Sequence, residues 1–479
     1  MIARLSSVRW GCIVALFGAP ILVVILLGVT ARVIWTVRES AGRTAFKQRL
    51  QALAEANVPI DDASAEALYL SRTDDSRTDQ WLDLMQKLET EDFKLSQRGV
   101  SQFDPAVDEQ PFAASGVWQP EAATRVFVDN NQPIINEIRE LSRLRRPVTF
   151  PYYFDSINTQ LNYTQHMRDV SRLIAVDGEI ALRDGDSARV ATDIQALFDS
   201  SIVCSEEPWI VSQLVCYSLN FRALDLLKAA LESGQLSAVD RRSILALLLE
   251  RSQLQDQWQK LIFGERSAAI PCFAEPSRVV GPNVPMRGWD GILFLDLMER
   301  ALALDTANVD TLLASAREFN AKFEKDVHEA SWLRMADSIL TSIMAPAFGA
   351  MATAIARDLT EKRLAAHAIS LINYRDEHGR WPADLDTLNL PRNQYDLNPP
   401  GGLPFGYRLN DDDTVSLWGF DLTDDSQTAT EPPSVASGGE EATSPRWVWT
   451  LPAPARQEQS DSSNAQIAPA QSSTSASAP

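Results

Sequence analysis

The stretch Trp10–Ala31, WGCIVALFGAPILVVILLGVTA, holds no charged side chain between Arg9 and Arg32. An α-helix rises about 1.5 Å per residue, so about 20 apolar residues match the roughly 30 Å hydrocarbon core of a bilayer. The run has that length, and Trp10 and Trp35 flank it, where indole rings favour a lipid–water interface. It reads as a transmembrane helix over 10–35 behind a short leader at 1–9, with a large tethered body after it. A cleaved signal with Val29-Thr30-Ala31 as its small-residue site is the competing reading. The run from Ile13 to Val29 exceeds the usual signal core of roughly 7–15 residues, which favours the anchor. Arg32, Arg38, Arg43, Lys47 and Arg49 outnumber Arg4 and Arg9, so charge alone favours a cytoplasmic body. A very short basic leader usually exports the chain behind it, and the expectation is an exported body.

The chain has 479 residues, of which 45% are hydrophobic, enough for a sizeable core and two or three domains. A net charge of −20 repels phosphate backbones, and the only basic cluster, Arg143, Arg145 and Arg146, reads as the last turn of a helix. Nucleic acid is therefore not an expected partner. The four cysteines show no CxxC pair and no zinc spacing. If Cys204 and Cys216 bracket one helix, their separation of twelve residues puts them about 18 Å apart, too far for a disulfide. Buried thiols are the reading.

Most of the body has helical spacing. Val37–Ala56 reads as a juxtamembrane helix, Asp61 as the cap of a short helix through Tyr69, and Trp81–Leu95 as amphipathic. Glu121–Leu144 comes next, with Val126, Ile134, Ile138, Leu141 and Leu144 as its apolar stripe. The aromatic loop PVTFPYYFDSI at 147–157 reads as a plug at the end of a bundle, with a peptide-binding surface as the alternative. From 161 to 345 the body is expected to be an antiparallel helical bundle or TPR-like stack. Its helices are Tyr163–Arg183, Ser187–Ser200, one from Ser205-Glu206-Glu207-Pro208 to about Glu232, and one from Ser237 carrying Ile244, Leu248 and Leu254. Residues 264–288 read as a long loop. Helices at Gly291–Leu304, Val309–Ala330, Trp332–Ile343 and Phe348–His378 complete it, with Gly379 as the stop. Region 36–160 is helical and irregular, and 454–479, rich in Ala, Ser, Pro and Gln, reads as a disordered tail.

After Gly379 the alphabet changes to short alternating runs, Phe405–Leu409, Thr414–Gly419 and Trp447–Leu451, read as strands. The order Tyr374, His378-Gly379, Trp381-Pro382, Leu385, Leu388, Asn398-Pro399, Gly402, Pro404-Phe405, Tyr407, Ser416, Trp418-Gly419, Asp421 resembles the globular part of type II secretion pseudopilins. The likeness covers about 360–425 and implies a small α+β module within 346–453. Asn398 stands where that family has Asp, and Phe420-Asp421-Leu422 lacks its Asp-Gly step. The apolar run has neither the Gly–Phe start nor the Glu of a pseudopilin, so assembly into a pilus is not expected. The whole arrangement is similar to bacterial membrane-anchored helical proteins, which implies the inner membrane, a periplasmic body and no particular activity. Some pseudopilins hold calcium in this loop, so the resemblance implies Asp421, Asp424 and Asp425 as oxygen ligands. A solvated acidic turn is the alternative.

No catalytic motif appears. His166, His328 and His367 lie in helical stretches, His378 closes the last helix, and His328-Glu329 lacks the second His of a zinc site. Glu206 and Glu207 read as first-turn residues. The expectation is an anchored interaction or scaffold protein with a protein partner in the cell envelope. A hydrolase with a dispersed site in the helical body, or an accessory component of a secretion assembly, are the alternatives.

Overall fold

The computed structural model describes residues 3–104, 112, 114–250, 254–279, 288–328, 341, 347–388, 405–419 and 448–453. It is mainly helical. The first helix, α1 (Ala3–Glu55), is continuous and does not stop where the apolar run stops. Side chains from Ile25 to Thr30 and from Val33 to Val37 are exposed, while its C-terminal half belongs to the folded body. Glu39 accepts a hydrogen bond from Gly288 N at 2.6 Å, and Trp289 Nε1 donates to Arg38 O at 3.0 Å. Phe46 is buried beside Phe273, with ring centroids 6.4 Å apart. Among the described residues no helix is long and apolar enough to cross a membrane. This corrects the transmembrane helix at 10–35, the membrane contact assigned to it and the single-pass inner-membrane placement. Apolar length alone does not show that the same helix continues without a break into a packing surface that begins at Arg38 and Glu39.

The next elements are α2 (Asp62–Arg72), α3 (Thr78–Glu89) and α4 (Glu91–Ser96). Asp61 caps α2 by accepting from Ser64 N at 2.8 Å, while the Ser64 hydroxyl accepts from the Asp61 amide at 3.1 Å. Thr90 divides the expected Trp81–Leu95 helix and caps its second piece through Phe93 N. In α5 (Glu121–Ser142) the buried stripe is Phe127, Val128, Ile135, Ile138 and Leu141. Val126 and Leu144, expected in that stripe, are exposed.

The centre is built from α6 (Asn162–Asp184), α7 (Ser187–Val203) and α8 (Ile210–Glu232). Each of the three packs on the other two. Gly185, at φ +73°, takes the left-handed cap of α6, and with Asp186 it reverses the chain in two residues. Ser237 caps α9 (Ala238–Leu248). Then α10 (Leu254–Ala274) runs through the first part of the expected 264–288 loop, as far as Ala274, with Pro271 inside it, and leads to the short α11 (Pro276–Val279). Gly264 there serves close packing rather than termination, since it lies directly against Pro208. The remaining helices are α12 (Gly288–Leu302), α13 (Val309–His328) and α14 (Ala347–His378), the last stopped by Gly379 at φ +70°. The expected helix at Trp332–Ile343 lies outside the described residues apart from Thr341.

Strands β1 (Gly406–Leu409), β2 (Val415–Trp418) and β3 (Val448–Leu451) form an antiparallel sheet in that order, with Tyr407 opposite Leu417 and Leu417 opposite Trp449. Val415, Leu417 and Leu451 share one core with Leu364, Ala368, Leu371 and Ile372 of α14 and with α6–α8. Trp381 Nε1 donates to Asp413 O at 2.8 Å and Tyr407 OH to Pro382 O at 2.7 Å, tying the helix end to the sheet. A second core gathers α1, α10, α12, α13 and the start of α14 around Trp258, Phe273, Phe294 and Phe348.

Candidate functional site

The aromatic loop at 147–155 alternates inward and outward, as an extended chain must. Phe150 and Tyr152 are buried, while Pro151 and Tyr153 are exposed. The loop is held to the α2–α3 link by main-chain bonds, Asp74 N to Pro147 O at 2.9 Å and Thr149 N to Asp74 O at 3.0 Å. The Tyr69 hydroxyl donates to Val148 O at 3.2 Å and accepts from Phe150 N at 2.7 Å. Inside, Phe150 stacks on Tyr163 at 5.0 Å, and Trp209 meets Tyr152 and Phe154 at 5.0 and 5.1 Å. The inward residues therefore plug the bundle. The outward ones line an open cleft of about 660 Å³.

That cleft joins two chemistries. Tyr153 is 82% exposed and Leu70 51%, with Pro151 and Phe154 beside them. Glu66, Asp75 and Asp79 also line it, and none of the three has an ion-pair partner among the described residues. Nearby acids do have partners: Asp74 pairs with Arg146 at 3.0 Å, and Glu206 and Asp256 pair with Arg72.

Behind the cleft floor the Tyr152 hydroxyl donates to Glu207 Oε1 at 2.7 Å, and Thr164 donates to Oε2 at 3.4 Å. Glu207 is 1% exposed. Burial pushes its carboxyl up to about 7, against the pull of hydrogen bonds from Ser212, Tyr152 and Thr164 and of the Lys260 charge. Burial and the Glu207 charge also raise the Tyr152 phenol well above its usual range. Helix α8 starts at Ile210, so Glu206 and Glu207 are turn residues and not first-turn residues as expected. The turn is closed by Gln213 Nε2, which reaches Ser205 O at 2.9 Å and Glu207 O at 2.8 Å.

The FGER segment of α10 completes the unit. At Gly264 a Cβ would stand 1.8 Å from the Pro208 carbonyl oxygen. Glu265 accepts from Ile210 N at 2.7 Å, capping α8 from another helix, and Lys260 donates to Ser205 O. Burial lowers the Lys260 ammonium below its usual range, opposed by the charge of Glu206. No local spacing announces this cap, because its carboxylate lies 55 residues away.

The other sequence candidates lie elsewhere. His166 faces Glu89 at 3.1 Å, His367 packs on Phe405, and His378 stacks on Tyr374. The side chain of His328 and the residues Asp421, Asp424 and Asp425 lie outside the described residues. Of the basic cluster, Arg145 pairs with Asp199 and Glu250 and Arg146 with Asp74. Cys204 and Cys216 do not bracket a helix. Cys204 comes directly after α7, the turn folds back, and the two sulfurs lie 2.6 Å apart, which corrects the 18 Å expectation.

The Glu207 carboxyl has a measurable consequence. Its folded pKa of about 7 exceeds the ordinary 4.5, so the folded chain holds a proton that the unfolded chain has released. This contribution is fully present below 4.5 and is lost as pH rises through 7. At about 1.4 kcal/mol per pH unit it amounts to about 3–4 kcal/mol. Glu207→Gln keeps the neutral shape, so denaturation curves at a series of pH values should show wild type losing about 2–3 kcal/mol relative to the variant between about pH 5 and 8. Parallel stability profiles would show that Glu207 titrates normally.

Comparison with protein families, with curated proteins and with solved structures finds no match to this chain.

Proposed function

We propose that this chain is an interaction protein whose cleft docks an extended, positively charged segment of a partner protein. Tyr153 carries the reading. An exposed tyrosine on a loop pinned by its buried neighbours is a rigid aromatic surface of the kind that anchors interfaces. Tyr153 and Phe154, with Pro151 and Leu70, suit the apolar ridges of a polyproline-type segment, which loses little entropy on docking. Glu66, Asp75 and Asp79 supply uncompensated negative charge, which steers and orients arginine or lysine on the partner.

The test uses the full chain and a short fluorescent arginine–proline peptide. Tyr153→Ala should weaken binding at least tenfold, about 1.4 kcal/mol. Asp75→Lys with Asp79→Lys should slow association and flatten its salt dependence. Affinity unchanged in both variants would remove the cleft as the docking surface.

A further inference from the structure

We infer that Cys204 and Cys216 form an intramolecular disulfide by exchange with a small-molecule disulfide. Cys204 sits just past the end of α7, and Cys216 lies in the second turn of α8. The turn between them brings the sulfurs to 2.6 Å, closer than two unbonded sulfur atoms pack and within a side-chain adjustment of bonding. Both side chains are buried. A second observation supplies the route. A separate cavity of about 240 Å³, lined among others by Ser205, Gln213, Tyr217 and Asn220, has Cys216 in its wall. Cys272, by contrast, has the Ser156 hydroxyl 4.0 Å away and no thiol beside it among the described residues.

The chemistry balances with a disulfide RSSR such as oxidised glutathione. The Cys216 thiolate attacks one sulfur of RSSR, breaking its S–S bond and releasing RS⁻. The Cys204 thiolate then attacks the Cys216 sulfur of the mixed disulfide, forming the Cys204–Cys216 bond and releasing the second RS⁻. The two protein protons end on the released thiols, and the two electrons reduce RSSR to two RSH. The bond would close the turn that holds Glu207 and that Gln213 already ties through the Ser205 and Glu207 carbonyls.

The test equilibrates the full chain in oxidised-glutathione buffer, both folded and refolded from the unfolded, reduced state, so that burial does not limit access. Thiols are then counted by alkylation after acid denaturation, and linked peptides are mapped. The chain has four cysteines, and two should be lost, joined as Cys204–Cys216. The denaturation midpoint should rise, and Cys204→Ser or Cys216→Ser should abolish the rise. Four alkylated thiols after refolding, a glutathione adduct that stays open at Cys216, or a link from either residue to Cys12 or Cys272 would overturn the inference.

Discussion

Replacing Arg139 with leucine is expected to cost about 3–5 kcal/mol of folding stability. Arg139 of α5 reaches between α6 and α7, where Nε donates to Asp193 Oδ1 at 2.8 Å and Nη2 bonds both Asp177 and Asp193. Both aspartates are 0% exposed. Asp177 also receives Arg189 Nε at 3.0 Å and Gln132 Nε2 at 2.7 Å. Burial alone would raise Asp177, but the Arg189 hydrogen bond and the two arginine charges hold it below its usual range. Burial, and then the Asp177 charge, push Asp193 well above its usual range, with Arg139 as its main opposing charge. Without Arg139 a buried carboxyl keeps its desolvation cost and loses its partner. Denaturant unfolding of Arg139→Leu measures the loss. The double variant Arg139→Leu with Asp193→Leu should recover much of it, because an apolar replacement of similar volume leaves no charge uncompensated. As a control, Glu137→Gln breaks a half-exposed pair with Lys87 and should change stability by at most about 1 kcal/mol. A loss below about 1 kcal/mol for Arg139→Leu would mean that the three-helix centre does not depend on this network.

The second large effect is Gly264→Ala. Within a helix this substitution ordinarily gains about 1 kcal/mol, since glycine has the most conformational freedom to lose. Here the sign should reverse. The new Cβ would meet the Pro208 carbonyl oxygen at 1.8 Å and the Pro208 carbonyl carbon at 2.7 Å, and both are backbone. The turn cannot yield without disturbing the Glu265 cap on Ile210 N and the Gln213 bonds to Ser205 O and Glu207 O. Overpacking costs about 1–3 kcal/mol where side chains can adjust, and a rigid backbone obstacle belongs at or above the top of that range. Trp209 is wedged against Tyr152 and Phe154, and because the chain has 12 tryptophans its emission is read as the difference from a Trp209→Phe chain. A Gly264→Ala chain as stable as wild type, with unchanged Trp209 emission, would show that α10 does not clamp the turn.

The legible part of the sequence was local. The Asp61 cap, the Gly379 stop, the helix start at Ser237 and the three strands are each set by neighbours within a few residues. The start of α8 departs from its local signals for the opposite reason. Ser-Glu-Glu-Pro carries every local sign of a helix start, yet Glu207 is claimed by Tyr152 and Thr164, which lie 55 and 43 residues away. The helix therefore waits until Ile210, where Glu265 caps it. The 264–288 stretch reads as a loop because a single sequence cannot show that Gly264 is required for close approach within a helix. The apolar run misled in the same way, since its length says nothing of the packing that the same helix makes from Glu39 onward. Of the candidate site, the aromatic loop at 147–157 is readable as a plug or a peptide-binding surface, but which of its rings face inward is not. The three carboxylates that join it come from α2, the α2–α3 link and α3, and only the fold assembles them.

The most direct measurement is calorimetric titration of the full chain with three peptides of equal length and equal proline content, carrying arginine, glutamine or glutamate at the same positions. Expected is binding of the arginine peptide that weakens with added salt, at least tenfold weaker binding of the glutamine peptide and none of the glutamate peptide. Equal binding of all three, or binding of none, would contradict the cleft at Tyr153 as a docking site for a basic extended segment.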